Sequence, residues 1–356
     1  MTTIKEIAQR AGVSPATVSR VLNGKAWVSE EKRRVVNEWI TQLGYKPNQV
    51  AQTLVGTRSF LLGLVITDVS NPFFADVVKL VQQEAFLSGY SILLCHTNAA
   101  ADIERQQVES LLRRQVDGVV IVPAAVDSPG VRKLQQASVP TVVITQQHPE
   151  IDSVSVDHEA GGAMVASHLV SAGHADLAYF GKSTDAKYQG FRREALATGI
   201  SPERIECVEI EYGSVETVEI EGGVKRFFES SIGRRTTGVF ALNDFVALAV
   251  LNTASDSGRS TPADLSVVGF DNSYLARIHR PSLTSVAQPI QEMAHRAIEL
   301  LRRRLAEEEP AGHRTTLLQP RVVVRGSSSQ EAPASEPASY GGDTTRFSGK
   351  EAGAHE

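Results

Sequence analysis

Residues 3–23 read TIKEIAQRAGVSPATVSRVLN, and this stretch decides how the chain begins. Thr3-Ile4-Lys5-Glu6 has the form of a capping box, in which the threonine hydroxyl takes an orphan amide and the glutamate reaches back. Ile4, Ile7, Ala8 and Ala11 then recur at helical spacing and make one apolar face. Gly12 supplies a turn. Ser14-Pro15 restarts the chain as N-cap and first helical residue, where proline loses no hydrogen bond. The second helix exposes Ala16, Thr17, Ser19 and Arg20 and buries Val18, Val21 and Leu22. Two helices joined this tightly predict a helix-turn-helix, whose second helix offers its N-terminal residues to base edges. On these residues alone an ordinary αα-hairpin is the bland alternative.

A third helix opens at Ser29, with Glu30 and Glu31 favourably placed in its first turn. It carries Val35, Val36, Trp39, Ile40 and Leu43 inward, and Gly44 closes it. After Pro47, Gln49–Val55 has the pattern of a helix too short to be stable alone in water. Gly56–Ser59 reads as a linker.

The 356 residues are too many for one small domain. The net charge of −5 hides an asymmetry: residues 1–58 hold nine Lys/Arg against four acids, so the head is +5 and the remainder −10. A basic head on an acidic body suits a phosphate-facing module. The two cysteines, Cys95 and Cys207, are isolated and argue for reducing cytosol over a disulfide scaffold. No secretion signal or membrane span is expected, since no apolar stretch is long enough.

From Phe60 the texture changes to short apolar runs separated by helical patterns. The runs are Leu61–Ile66, Ile92–Leu94, Gly118–Val122, Thr141–Ile144, Leu177–Phe180, Gly238–Leu242 and Ser266–Phe270. Strands alternating with helices predict βαβ units and parallel sheets buried on both faces. The pattern restarts after about residue 157, so two α/β lobes with a cleft between them are expected. Such sheets bind ligands at the carboxyl ends of their strands. Ser327–Glu356 is Ser/Gly/Pro/Ala/Glu-rich and reads as disordered. No P-loop, GxSxG or HExxH occurs, and the nine histidines lack metal-ligand spacing. No catalytic residue, metal or cofactor is therefore expected.

With these segments in place, the chain resembles the lac repressor/galactose repressor (LacI/GalR) family of bacterial transcription regulators. The likeness is carried by Thr3–Ala8, Gly12–Asn23, Gly44–Asn48, Asn71-Pro72-Phe73-Phe74, Val116-Asp117-Gly118, Asn243-Asp244 and Val268–Asn272, in order, from about Thr3 to about Arg325. The resemblance implies a helix-turn-helix headpiece over 1–46 and a hinge helix and linker over 47–59. A two-lobed, periplasmic-binding-protein-like α/β domain would follow over 60–326. Lobe 1 would take about 60–157 and 289–316, and lobe 2 about 158–288 and 317–326, leaving 327–356 as the tail.

The same resemblance places Ser14, Pro15, Ala16, Thr17, Ser19, Arg20 and Asn23 at or near DNA. It makes Leu54 an apolar wedge for the minor groove, a device that kinks the duplex. Gln52 stands where the family often has a basic residue. The effector site would use Asn71, Phe73, Phe74, Asp157, Lys187, Asn243, Asp271 and Gln288. Of these, Asp271 carries the most weight, because a carboxylate can accept from two adjacent hydroxyls. Lys187 stands where the family commonly has arginine, so the bidentate fork is lost while the charge is kept. The implied protein is a cytoplasmic homodimeric regulator, a repressor, that binds a double-stranded operator and a small-molecule effector. A sugar or polyol is the first choice of effector and a purine the second. The partner surface is expected on lobe 1, including Phe74–Gly89 and Asp102–Arg114. A sugar-binding carrier would share the lobes but has no use for residues 1–58, and a sugar-modifying enzyme would need a reactive constellation.

Overall fold

The computed structural model describes residues 3–22, 27–45, 58–210, 217–308 and 312–328, without the side chains of 217–219. The expected hinge over Gln49–Val55, with Leu54, lies outside the described residues, as do Asn23 and the tail beyond Ser328.

The headpiece is three helices: α1 (Ile4–Ala11), α2 (Pro15–Leu22) and α3 (Glu30–Gln42). Thr3 caps α1, its hydroxyl accepting from the Glu6 N–H at 3.3 Å. Gly12 ends α1 at φ +63°, a conformation that costs glycine nothing. The five residues Ile7, Ala8, Val18, Val21 and Val36 form its small core, with Leu22, Trp39, Ile40 and Leu43 packed half-buried around them.

The rest forms two lobes. Lobe 1 runs through β1 (Leu61–Ile66), α4 (Pro72–Leu87), β2 (Ser91–His96), α5 (Ala101–Arg113), β3 (Gly118–Ile121), α6 (Pro129–Gln136), β4 (Thr141–Ile144) and β5 (Asp152–Val156). The chain then crosses to lobe 2. This lobe takes α7 (His158–Ser171), β6 (Leu177–Gly181), α8 (Ala186–Ala197), β7 (Ile205–Glu209), α9 (Thr217–Glu229), α10 (Ser231–Arg235) and β8 (Gly238–Ala241). It continues with α11 (Asp244–Asp256), β9 (Ser266–Asp271), α12 (Tyr274–Ile278) and β10 (Thr284–Ala287). A return crossing leads to α13 (Ile290–Leu305) and β11 (Thr315–Leu318) in lobe 1, and a third to β12 (Arg321–Val323) in lobe 2.

The lobe-1 sheet has the order β11-β5-β4-β3-β1-β2 and the lobe-2 sheet β12-β10-β9-β8-β6-β7. All pairings are parallel except β10 with β12. Both faces of the lobe-1 sheet are covered. Leu62, Leu64 and Ile66 pack on the α4 and α13 side. Val65, Val119 and Ile121 pack on the α5 and α6 side. This two-sided burial is why the strands are continuous apolar runs.

Two boundaries differ from the sequence reading. Because β11 pairs with β5 through Leu318, the third crossing comes after residue 318 instead of after 316. Ser327 and Ser328 are buried, so the expected tail does not begin at 327. The Ser327 hydroxyl donates to the Val267 carbonyl at 2.5 Å and accepts from the Thr284 N–H at 2.8 Å.

Candidate functional site

Two places collect the expected residues. The first is the start of α2. Ser14 Oγ accepts from the Thr17 N–H at 3.2 Å and lies 2.9 Å from Thr17 Oγ1. Ser14, Pro15, Ala16 and Arg20 are exposed, and Val18 and Val21 face the core. The sequence reading exposed Thr17 and Ser19, but both are half-buried; Thr17 helps close the helix start. The packed helices thus leave one short polar and methyl-bearing edge facing outward, with Arg20 at its end. An edge of this kind suits contact with phosphates and thymine methyls more than bidentate base reading.

The second place is the lobe junction. β9 ends in Asp271, whose carboxyl Oδ1 accepts from Gln288 Nε2 at 2.7 Å. Gln288 sits on the return crossing, and its Oε1 is buried without a hydrogen-bond partner. Lys187, from the first turn of α8, donates to the Leu242 carbonyl at 2.9 Å and lies 3.8 Å above the centre of the Phe270 ring. His158, the first residue of α7, meets the same ring edge-on at 5.6 Å. Close crossing of α7 and α8 brings these groups together. A Cβ at Gly162 would overlap the Lys187 carbonyl, and one at Gly190 the Glu159 carbonyl.

Electrostatics follow from this burial. The Asp271 carboxyl is pushed up to about 7 by burial, against the pull of the Lys187 ammonium. Burial pushes Lys187 down, and the carboxylates of Asp271, Asp185 and Asp244 oppose it. His158 is pushed down to about 3 by burial, with the Lys187 charge acting in the same direction. The imidazole is therefore neutral at physiological pH. His158 was not among the expected site residues, and nothing in the local sequence distinguishes it from a helix-start histidine.

The other expected residues divide. Asn243 caps α11, accepting from the Val246 N–H at 2.9 Å, and Asn71 caps α4, accepting from the Phe73 N–H at 3.0 Å. Asp157, on the first crossing, caps α7 through the Ala160 N–H at 2.9 Å. Phe73 lies in the lobe-1 core. Phe74 is half-buried and meets Phe73 edge-on, so it is the one of the pair with an accessible face. At the junction a cavity of about 860 Å³ is walled by α4 and α13 on one side and by Asp271, Asn272 and Arg277 on the other, with Gln288 at the crossing. Of the eight expected effector residues, Asp271 and Gln288 line it. A second cavity of about 500 Å³ lies by Asp152 and Arg304 and holds none of them. Among the described residues no cluster of His, Cys, Asp and Glu is placed to hold a metal ion, and no helix is long and apolar enough to cross a membrane.

Comparison with known proteins matches the headpiece and the two-lobed domain as families. Residues 3–48 match the family described as bacterial regulatory proteins, lacI family, and residues 166–328 match the periplasmic binding protein-like domain. Catabolite control protein A of Priestia megaterium is 32% identical over 314 residues, covering 86% of this chain and 93% of that protein. The lac repressor dimer bound to operator and the anti-inducer ONPF superposes with a TM-score of 0.79 at 25% identity, covering 92% of this chain and 99% of that one. The transcriptional regulator CelR in complex with cellobiose superposes with a TM-score of 0.68 at 27% identity, covering 92% of this chain and 100% of that one. With a helix-turn-helix headpiece, two binding-protein-like lobes and relatives of this identity along nearly its whole length, the chain belongs to the lacI family of bacterial regulatory proteins, and it is a DNA-binding transcription regulator.

Proposed function

We propose that this regulator is a repressor whose operator affinity is set by a sugar or sugar derivative held between the lobes, without chemical conversion. The observation that carries the reading is the convergence of Asp271, Gln288, His158 and Lys187 at the lobe junction. A buried carboxyl group beside the Gln288 amide suits the hydroxyl groups of a sugar, which can both donate and accept. Cellobiose in the related CelR structure supports the same class. Asn71, Phe74, Asp157 and Asn243 would frame the site from the strand ends and the first crossing, and Phe73 would back it from the core.

On the DNA side, Ser14, Pro15, Ala16, Thr17, Ser19, Arg20 and Asn23 would contact the operator and Leu54 would act as the wedge. We propose a cytoplasmic homodimer, because a two-fold protein reads a pseudo-palindromic site. Phe86, Leu87 and Ile103 leave apolar surface exposed on α4 and α5, where a second copy would bury it.

A melting-temperature screen of neutral sugars, sugar phosphates and purines, followed by anisotropy on an operator selected from random duplexes, tests this. At least one sugar should raise Tm and change operator affinity by about tenfold, within the usual size of such couplings. Response to purines alone would replace the sugar reading, and selection that enriches no DNA sequence would remove the operator altogether. Leu54→Ala should lower operator affinity while the sugar-induced Tm shift persists.

A further inference from the structure

Asp271 and Asn272 adopt left-handed backbone angles, φ +104° and +51°. Neither is glycine, and such angles persist in other residues only where the surroundings fix them. Here the surroundings are a buried polar network. The Asn272 N–H donates to Ser285 Oγ at 2.9 Å, and the Ser285 hydroxyl donates in turn to Asp244 Oδ1 at 2.5 Å. The Ser273 N–H donates to Asp244 Oδ2 at 2.6 Å. Arg325 Nη2 donates to Asn272 Oδ1 and Nη1 to the Leu283 carbonyl, each at 2.7 Å. Asp244 and Arg325 are 2% and 6% exposed, so neither charge is solvated by bulk water. Gly269 makes room for the carboxylate, since a Cβ there would lie 2.5 Å from Asp244 Oδ1.

We propose that Asp244 and Arg325 are positioning residues for the cleft: they clamp the Asp271–Asn272 turn from both sides and so fix where the Asp271 carboxyl group stands. The inference rests on the reading of Asp271 as an effector contact. Buried charges are a weak source of net stability, and here both reach Asn272, the residue next to Asp271. Burial raises the Asp244 carboxyl while Ser285, Ser273 and Arg325 oppose the rise, as expected of a charge kept by its partners. Since Arg325 follows the last strand, β12, the clamp also ties the C-terminal segment to the lobe junction.

Hydrogen–deuterium exchange on the full chain tests the clamp without any ligand, so a failed sugar screen leaves the result readable. In Arg325→Met, amides 272 and 273 should exchange at least about tenfold faster, while β8 and the start of β9 keep their native rates. In an Asn272→Gly background, Arg325→Met should add much less at amide 272 than it does in the native chain, because the acceptor is gone and glycine adopts the angle freely. If Arg325→Met does not fold, Arg325→Lys should give the same local pattern at smaller size, since the ammonium cannot fork between Asn272 and Leu283. Native exchange at 272 and 273, or acceleration spread evenly over lobe 2, would overturn the proposal. With a sugar that binds, Arg325→Met should weaken it by about tenfold and leave ligand-free operator binding intact, whereas equal loss of both would mark a merely structural role.

Discussion

Asp271 and His158 occupy one junction, yet burial drives their protonation in ways that pull stability in opposite directions with pH. The Asp271 carboxyl is raised to about 7 in the folded chain, against about 3.9 unfolded. The folded state therefore binds the extra proton between these values, and its stabilising effect is lost as pH rises through about 7. Asp271→Asn should raise Tm more at pH 8 than at pH 5; an equal rise at both would mean the carboxyl is not desolvated. His158 is held at about 3, below its unfolded value of about 6.5. Its unfolded form takes up a proton first, so stability falls as pH drops below about 6.5. His158→Gln should flatten that acid-side loss, measured as the Tm difference between pH 7 and pH 5.

At the scale of elements, two arrangements support the junction. The first is the α7–α8 crossing, where Gly162 and Gly190 let backbone meet backbone. Gly190→Ala should cost on the order of 3 kcal/mol, because the new methyl group has only a carbonyl to displace. Thermal melting of the variant checks this, and an unchanged Tm would mean the helices separate easily. The second is Glu104, fully buried on α5 and accepting from the Ala124 N–H at 2.6 Å and from the Ser128 hydroxyl. It holds the loop that follows β3 at the carboxyl end of the lobe-1 sheet. Glu104→Ala should cost on the order of 2–4 kcal/mol by orphaning both donors, with exchange rising first in residues 124–128.

At the scale of the whole molecule, three crossings join the lobes, at Val156–His158, Ala287–Ile290 and Leu318–Arg321; the second and third line the junction cavity, and His158 of the first packs against Phe270. A ligand in that cavity would touch segments that join one lobe to the other. Any such coupling to DNA must be reciprocal. The factor by which the sugar changes operator affinity should equal the factor by which operator changes sugar affinity. Titrations in both orders measure it, and unequal factors would show that the two sites are not linked in a single closed cycle.

The headpiece was legible residue by residue, because caps, a glycine turn and helical spacing are local signals: Thr3, Gly12 and Ser14 act within a few residues of themselves. The seven apolar runs were legible because strands covered on both faces admit little else. β5 escaped notice, since Asp152-Ser153-Val154-Ser155-Val156 is half polar and its serines are buried only when β11 arrives from far along the chain. β10, with Thr284 and Ser285, escaped for the same reason. At the site, the resemblance singled out Asp271, Lys187 and Gln288 and its Asn243-Asp244 motif contained Asp244, while His158 and Arg325 carried no local mark as neighbours of Asp271. Sequence alone determined the headpiece and the alternation of strands and helices, because those rest on short-range chemistry, and the order of motifs along the chain carried the resemblance that implied the class of protein. Only tertiary structure decided that Phe73 is core, that Asn243 and Asp157 cap helices, and that Arg325 reaches Asn272 across 53 positions. Which polar groups end up desolvated together depends on contacts between distant segments, and those exist only once the chain has folded.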